Sequence, residues 1–349
     1  MNNKFSRQYS VTIGIPVFKA ADYIGKTMES ALAQSYPNIE FLVVDDCGDD
    51  GSIEVVEKLA KEHIRGCDIR ILRNETHLGP GSTRNRIIDE ALGNYLYFLD
   101  SDDLIEPYTI QLLMDEMQRT QSEAVYASYE IVDKVNHTPN QVYQKPSQHF
   151  RAIDELADFA FRCSNVFQVT ACNCLIDINF LRKIGLRFFD ATYWEDMAFT
   201  YELVTHISHA VTLPNITYHY LQRPGSLSHY QDRELLQKAE ILKNYSIIDY
   251  LKSMCGRLKG KPYLPYLCYN LEMNSFYVIC HVLKHSNRIT PSFSHSELHQ
   301  FLKFPLPLRD ILRPGKRFTA NLTLWMVAHL PLFLFVPVVR ILGKAKNVL

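Results

Sequence analysis

The chain contains no CxxC pair, and Cys172-Asn173-Cys174 has no second cluster to complete a zinc site. Its eight cysteines are scattered, and no apolar signal core precedes Val11. This predicts reduced thiols and a cytoplasmic location. Charge of either sign is not in excess: 37 Lys and Arg face 38 Asp and Glu, for a net charge of −1. That balance gives no global case for nucleic acid as a partner. The glycine fingerprints are incomplete. A G-x-G-x-x-G run from Gly79 needs glycine at position 84, which is Arg84, and a P-loop ending at Gly25-Lys26-Thr27 needs glycine at position 20, which is Ala20. Internal repeats and low-complexity segments are also absent.

What is present describes a globular chain. Of its 349 residues 47% are hydrophobic and 21% charged, more than one ordinary core requires. Three segments are expected: a main domain over 1–230, a helical region over 231–300, and a Pro-rich link with a cationic apolar tail over 301–349.

The first 130 residues alternate strand and helix. "VTIGIPVF" (11–18), "IEFLVVDD" (39–46), "DIRILR" (68–73), "YLYFLD" (95–100) and "AVYASYEIVD" (124–133) read as strands. Between them lie helical patterns such as "YIGKTMESALAQ", where Ile24, Met28, Ala31 and Leu32 share a face. Near-continuous apolar strands alternating with helices predict a Rossmann-like α/β fold, a mostly parallel sheet flanked by helices. Ligands in such sheets bind outside the carboxyl ends of the strands. Strand one ends in Pro16-Val17-Phe18, strand two in Asp45-Asp46, and strand four in Asp100, Asp102 and Asp103. The expectation is one acidic crevice.

Carboxylates at i and i+2 beyond a strand end suit a hard divalent cation such as Mg²⁺ or Mn²⁺, shared with substrate phosphates. The plainer alternative is turn chemistry, with Asp103 capping the following helix. Asp46 can accept a bond from a base or ribose, or serve a turn. Arg84, near a helix start, can reach a phosphate or a carboxylate, or sit in solvent. In "YWEDMAF" (193–199), Tyr193 and Trp194 would desolvate Glu195 and Asp196 and raise their basicity; the alternative is an acid pair favoured by a helix N-terminus. "YHYLQRPGSLSHY" (218–230) puts Arg223 and Ser226 on a loop suited to closing over a leaving phosphate.

Read in order, "VTIGIPVFKAADYIGKTMESALAQSYPNIEFLVVDDCGDDGS", "HLGPGSTRNRIIDEALGNYLYFLDSDD", "YWEDMAF" and "YHYLQRPGSLS" resemble the family 2 glycosyltransferases of bacterial surface-polysaccharide type, which have a GT-A fold. The resemblance spans about 10–230. It implies a hexosyl- or N-acetylhexosaminyl-transferase with a nucleotide-sugar donor, expected to be a UDP-sugar, and inversion at the anomeric carbon. By motif position Pro16, Val17 and Phe18 would flank the base and Asp46 bind uracil or ribose. Arg84 would support the donor site and Asp100 touch donor ribose or sugar. Asp102, with Asp103 beside it, would hold Mn²⁺ or Mg²⁺. Asp196 would be the general base with Glu195 its neighbour, and Arg223 and Ser226 would grip the diphosphate. The chain departs from the family at Lys19, Cys47 and His77, where Asn, Gly or Ser, and Asn are usual.

Two other functions fit parts of this pattern. A metal-dependent nucleotidyltransferase would need a basic Gly-rich loop after strand one, which "PVFKAADY" does not supply. A non-catalytic nucleotide- or carbohydrate-binding module would use the crevice without turnover. The tail bears on the acceptor. Residues 301–349 hold eight Lys or Arg and one acid, a local charge of +7, around the apolar run 322–339. That run is barely long enough to span a bilayer and carries His329, Pro331 and Pro337. An element on the inner membrane surface is the expectation, with a glycan or lipid-linked acceptor; a transmembrane helix, and a buried helix or a dimer contact, are the alternatives.

Overall fold

The structure is a computed structural model that describes residues 8–133, 139–191, 193–222, 234–312 and 317–349. The chain forms two compact units. The first comprises Met1–Leu156, Asn165–Asp190 and Glu195–Pro224; the second comprises Ala157–Ser164, Ala191–Trp194 and Gly225–Leu349.

The first unit begins with the alternation read from the sequence: β1 (Val11–Val17), α1 (Ile24–Leu32), β2 (Ile39–Asp45), α2 (Ser52–Glu62), β3 (Ile69–Arg73), α3 (Pro80–Glu90) and β4 (Tyr95–Phe98). It continues through β5 (Leu104–Ile105), α4 (Thr109–Thr120), β6 (Ala124–Asp133), β7 (Pro139–Tyr143) and β8 (Gln148–Phe150). After α5 (Glu155–Arg162), which runs into the second unit, come β9 (Cys174–Asp177), α6 (Ile178–Ile184), α7 (Glu195–His206) and β10 (Ala210–Gln222). The main sheet runs β3-β2-β1-β4-β9-β6-β10-β5.

Its first half, β3-β2-β1-β4, is wholly parallel. Every residue of β2 and six of the seven in β1 are buried, as expected of strands covered on both faces. β9 then pairs antiparallel with both β4 and β6, while β6 and β10 pair parallel over their length. The fifth strand of the sequence reading, β6, therefore joins the sheet through β9. "CLID" has four residues and no usable period, so nothing in the sequence marked that insertion. α3 packs on β1 and β2, and α4 on β6 and β10.

Because β1 lies between parallel β2 and β4, their carboxyl ends share one edge. Asp46 N donates to Val17 O at 2.8 Å, and Leu99 N to Gly14 O at 3.1 Å. The acidic residues after β2 and β4 thus leave the sheet on either side of Pro16–Phe18.

The second unit is helical. β11 (Leu236–Gln237) leads into α8 (Lys238–Met254) and α9 (Leu264–Lys284), followed by β12 (Ile289–Thr290), α10 (His295–Phe301), α11 (Leu308–Ile311), α12 (Phe318–Ala328) and α13 (Leu332–Ala345). α9 is its centre, packed against α8, α10, α11, α12 and α13. The buried Lys252 in α8 meets Glu272 in α9 at 2.9 Å and donates to Phe301 O at 2.8 Å, so the buried charge is both paired and hydrogen-bonded. The apolar run 322–339 is two helices separated at Leu330-Pro331, since proline cannot continue α12. No helix among the described residues is long and apolar enough to cross a membrane.

Candidate active site

Arg84 is the hub of the site. It lies on α3 and is 5% exposed. Its Nη2 is 2.6 Å from Asp100 Oδ1, and its Nη1 is 2.8 Å from Glu195 Oε1 and 3.5 Å from Asp196 Oδ1. A planar guanidinium offers donors in a fixed fork, so one side chain can hold the end of β4 and the start of α7 together. The Phe188 ring lies 5.5 Å from its guanidinium carbon. Close packing of α3 requires Gly81: a Cβ there would stand 2.5 Å from Phe189 O.

The two acids at the start of α7 differ. Glu195 is buried and bonded to Arg84; burial, reinforced by Asp196, pushes its carboxyl up to about 7 against the pull of Arg84. Asp196 is 23% exposed, and its Oδ2 accepts from Ala171 N at 3.4 Å. Its Oδ1 is buried and has no hydrogen-bond partner among the described residues. Desolvation raises its carboxyl above the ordinary range; Arg84 opposes the shift and Asp100 adds to it. The Tyr193 hydroxyl donates to Glu240 and its backbone N–H to Asn244 Oδ1, so Tyr193 is engaged with α8.

The acids after β4 are also divided. Asp103 is 1% exposed; its Oδ2 accepts from Tyr218 Oη at 2.5 Å and its Oδ1 from Leu221 N at 2.9 Å. Burial, with Asp102 and Asp100 nearby, holds its carboxyl well above the usual range. Both oxygens therefore serve to dock β10 against the 100–103 turn, while Asp102 is half-buried. Tyr218 Oη also accepts from Asp100 N at 3.4 Å. Among the described residues no group of three or more His, Cys, Asp or Glu could hold a metal ion. The carboxylate oxygens after β4 are of the donor type that Mg²⁺ or Mn²⁺ takes.

Asp46 is fully employed. Its Oδ1 accepts from Asn74 Nδ2 at 2.7 Å and Leu78 N at 2.9 Å; its Oδ2 accepts from Gly79 N at 2.8 Å and lies 2.8 Å from His77 Nδ1. Gly79 has φ of +87° and precedes Pro80 at the start of α3. The carboxylate thus fixes the 74–79 loop and the entry to the helix that carries Arg84. His77 in turn stacks on Phe18, ring centres 4.1 Å apart. Pro16 and Val17 end β1 beside this pair, Val17 buried and Pro16 partly exposed.

α3 therefore links the two acidic strand ends: Asp46 holds its N-terminus and Arg84, farther along, reaches Asp100, Glu195 and Asp196. Arg223 and Ser226 lie outside the described residues. Asn74, His77 and Tyr218 are structural members to which motif reading gave no role. Tyr218 and His77 stood inside quoted motifs, His77 as a departure from the family; Asn74 had no signal beyond its position between β3 and α3.

The model of glycosyl transferase family 2 matches residues 12–185. TuaG of Bacillus subtilis (strain 168), named for teichuronic acid biosynthesis, is 30% identical over 139 residues, 38% of this chain and 54% of TuaG. The Escherichia coli UDP-Glc:alpha-D-GlcNAc-diphosphoundecaprenol beta-1,3-glucosyltransferase WfaP is 25% identical over 247 residues, 70% of this chain and 90% of WfaP. The chain spans about half the length of most curated relatives it matches. Among solved structures, S. aureus TarS 1-349 in complex with UDP-GlcNAc superimposes with a TM-score of 0.67 at 17% identity, covering 91% of this chain and 90% of that one. The architecture is the GT-A fold that the motifs implied.

Proposed function

The chain belongs to glycosyl transferase family 2 and is a glycosyltransferase, and from that premise we propose that it moves a hexosyl or N-acetylhexosaminyl group from a UDP-sugar to a hydroxyl of a glycan or lipid-linked acceptor, with inversion. The work is assigned to bacterial surface-polysaccharide assembly at the cytoplasmic face of the membrane. The names of TuaG and WfaP, and the UDP-GlcNAc bound by TarS, support this direction. Residues 1–230 are taken as the catalytic domain, 231–300 as its helical companion and 301–349 as the tail.

Phe18, with Pro16 and Val17, borders the base, and Asp46 shapes that pocket through the 74–79 loop. Asp100, oriented by Arg84, meets donor ribose or sugar. Asp102 holds Mn²⁺ or Mg²⁺, with Asp103 fixing the turn beneath it. The bound cation would supply Lewis-acid stabilisation of the charge on the departing diphosphate. Arg223 and Ser226 are assigned to the same diphosphate by motif position.

Asp196 takes the proton from the acceptor hydroxyl. The acceptor's oxygen forms the new bond at the anomeric carbon while the bond to the diphosphate oxygen breaks, and UDP departs with the electron pair. A single displacement needs one base and no enzyme nucleophile. The observation that carries this reading is Arg84. It binds Glu195 and Asp100 at hydrogen-bond distance yet stands 3.5 Å from an Asp196 oxygen that has no hydrogen-bond partner among the described residues. The fork thus positions the base without consuming it.

The test is a panel of nucleotide sugars with and without Mn²⁺, read by thermal shift and by released UDP. A Mn²⁺-dependent stabilisation by UDP-sugars, lost in Asp102→Asn, is expected. Wild-type metal dependence in Asp102→Asn would overturn the metal assignment.

A further inference from the structure

α13 has two unlike faces. Phe335, Val336, Val339 and Gly343 are buried, and the helix packs on α9, α10 and α12. The approach to α9 is close: a Cβ on Gly343 would lie 3.0 Å from Cys280 Sγ. The other face carries Phe333, Pro337, Arg340, Ile341 and Lys344, all exposed, at the three- and four-residue spacing of one helical stripe. Phe333 is 75% and Ile341 67% exposed; Leu332 and Leu334 beside Phe333, and Met326 on α12, are also open to solvent.

This is a cluster and not ordinary scatter. Six of the seventeen exposed large hydrophobic residues among those described fall between Phe318 and Ile341. The charge beside them has one sign: residues 318–349 contain no Asp or Glu, while Arg340, Lys344 and Lys346 are exposed. A cavity of about 470 Å³ lies beside the end of α12, lined in part by Lys303 and by Trp325 and His329, whose rings stack 4.0 Å apart. An apolar prong, an amphipathic aromatic pair and flanking cations are the groups that settle at the headgroup level of a bilayer.

We infer that the exposed stripe of α13, with the Leu332-Phe333-Leu334 turn at its head, docks on an anionic lipid bilayer surface. The apolar turn enters the headgroup boundary, and Arg340, Lys344 and Lys346 face acidic headgroups. Charge selects this occupant over a second copy of the chain. A two-fold interface on the stripe would bring the cations of both copies together with no acid within residues 318–349 to pair them. Insertion stops at the surface because neither helix can cross a membrane.

The experiment is flotation of the full chain with phosphatidylcholine vesicles, with and without phosphatidylglycerol, at low and high salt. It reads lipid binding alone and is independent of the catalytic reading. Wild type is expected to bind the anionic vesicles in a salt-sensitive way. Phe333→Ser with Leu334→Ser, and separately Arg340→Glu with Lys344→Glu, should each weaken that binding at least about tenfold with unchanged melting curves. Ile64→Ser, at an exposed apolar residue of the first unit, should bind as wild type. Equal binding to neutral and anionic vesicles, or full binding by the charge-reversed variant, would overturn the proposal. So would a wild-type dimer that ignores vesicles and dissociates in the Phe333→Ser, Leu334→Ser variant.

Discussion

Arg84 Nη2 sits 2.6 Å from Asp100 Oδ1, which joins the helix after the third strand to the acid that follows the fourth. The same guanidinium bonds Glu195, more than a hundred residues farther along. A buried cation shared among three carboxylates is costly to remove, because its partners are left charged and unpaired. Arg84→Ala should lower stability by about 3–5 kcal/mol, measured by urea unfolding. Arg84→Lys, which lacks the fork, should fold better than Arg84→Ala but recover little activity.

Asp46 makes a second prediction. Asp46→Asn removes a charged acceptor from Leu78 N, Gly79 N and Asn74 Nδ2. The loss should be about 1–3 kcal/mol in thermal or chemical unfolding. Donor KM should rise with a smaller change in kcat if the loop it holds borders the proposed base pocket through His77 and Phe18. An unchanged donor KM would separate this loop from the donor pocket.

Tyr218→Phe deletes the donor to Asp103 Oδ2 and keeps the ring. A buried acceptor is left without its partner, at a cost of about 1–3 kcal/mol, readable as a lower melting temperature. Metal dependence of turnover should shift to higher Mn²⁺ concentrations, because the 100–103 turn loses an anchor. Equal metal dependence would confine Tyr218 to a structural role.

The pH dependence follows from the raised carboxyls of Glu195 and Asp196. A base works when deprotonated, so a raised pKa moves the acid limb of kcat/KM upward, above the ordinary carboxylate range of about 4. Stability carries the opposite sign. Glu195, raised to about 7, favours the folded state below its unfolded value, and that contribution is lost as pH rises through about 7. Glu195→Gln should flatten this fall in stability between pH 5 and pH 8, measured by unfolding at each pH.

Much of this architecture was legible in the sequence. Runs such as "IEFLVVDD" are apolar throughout because both faces are covered, and the acids follow where the strand leaves the core. The positions of Asp46, Asp100, Asp102 and Asp196 were therefore visible, but their division of labour was not. That Asp103 and Asp46 spend their oxygens on Tyr218, Leu221 and the 74–79 loop depends on partners distant in sequence. Arg84 could be singled out, but not its three carboxylate neighbours. In the tail the apolar run was plain, but of its two prolines Pro331 separates the helices while Pro337 lies inside α13. Which stripe of α13 would be buried depended on α9 and α10, and no local pattern carries that.

The most direct test of the account is turnover by Asp196→Asn, with UDP binding measured on the same protein. The account predicts a loss of about 10²–10⁴-fold in sugar transfer, with UDP and Mn²⁺ bound as in wild type. Transfer within about tenfold of wild type would contradict it, because an amide cannot accept the acceptor's proton.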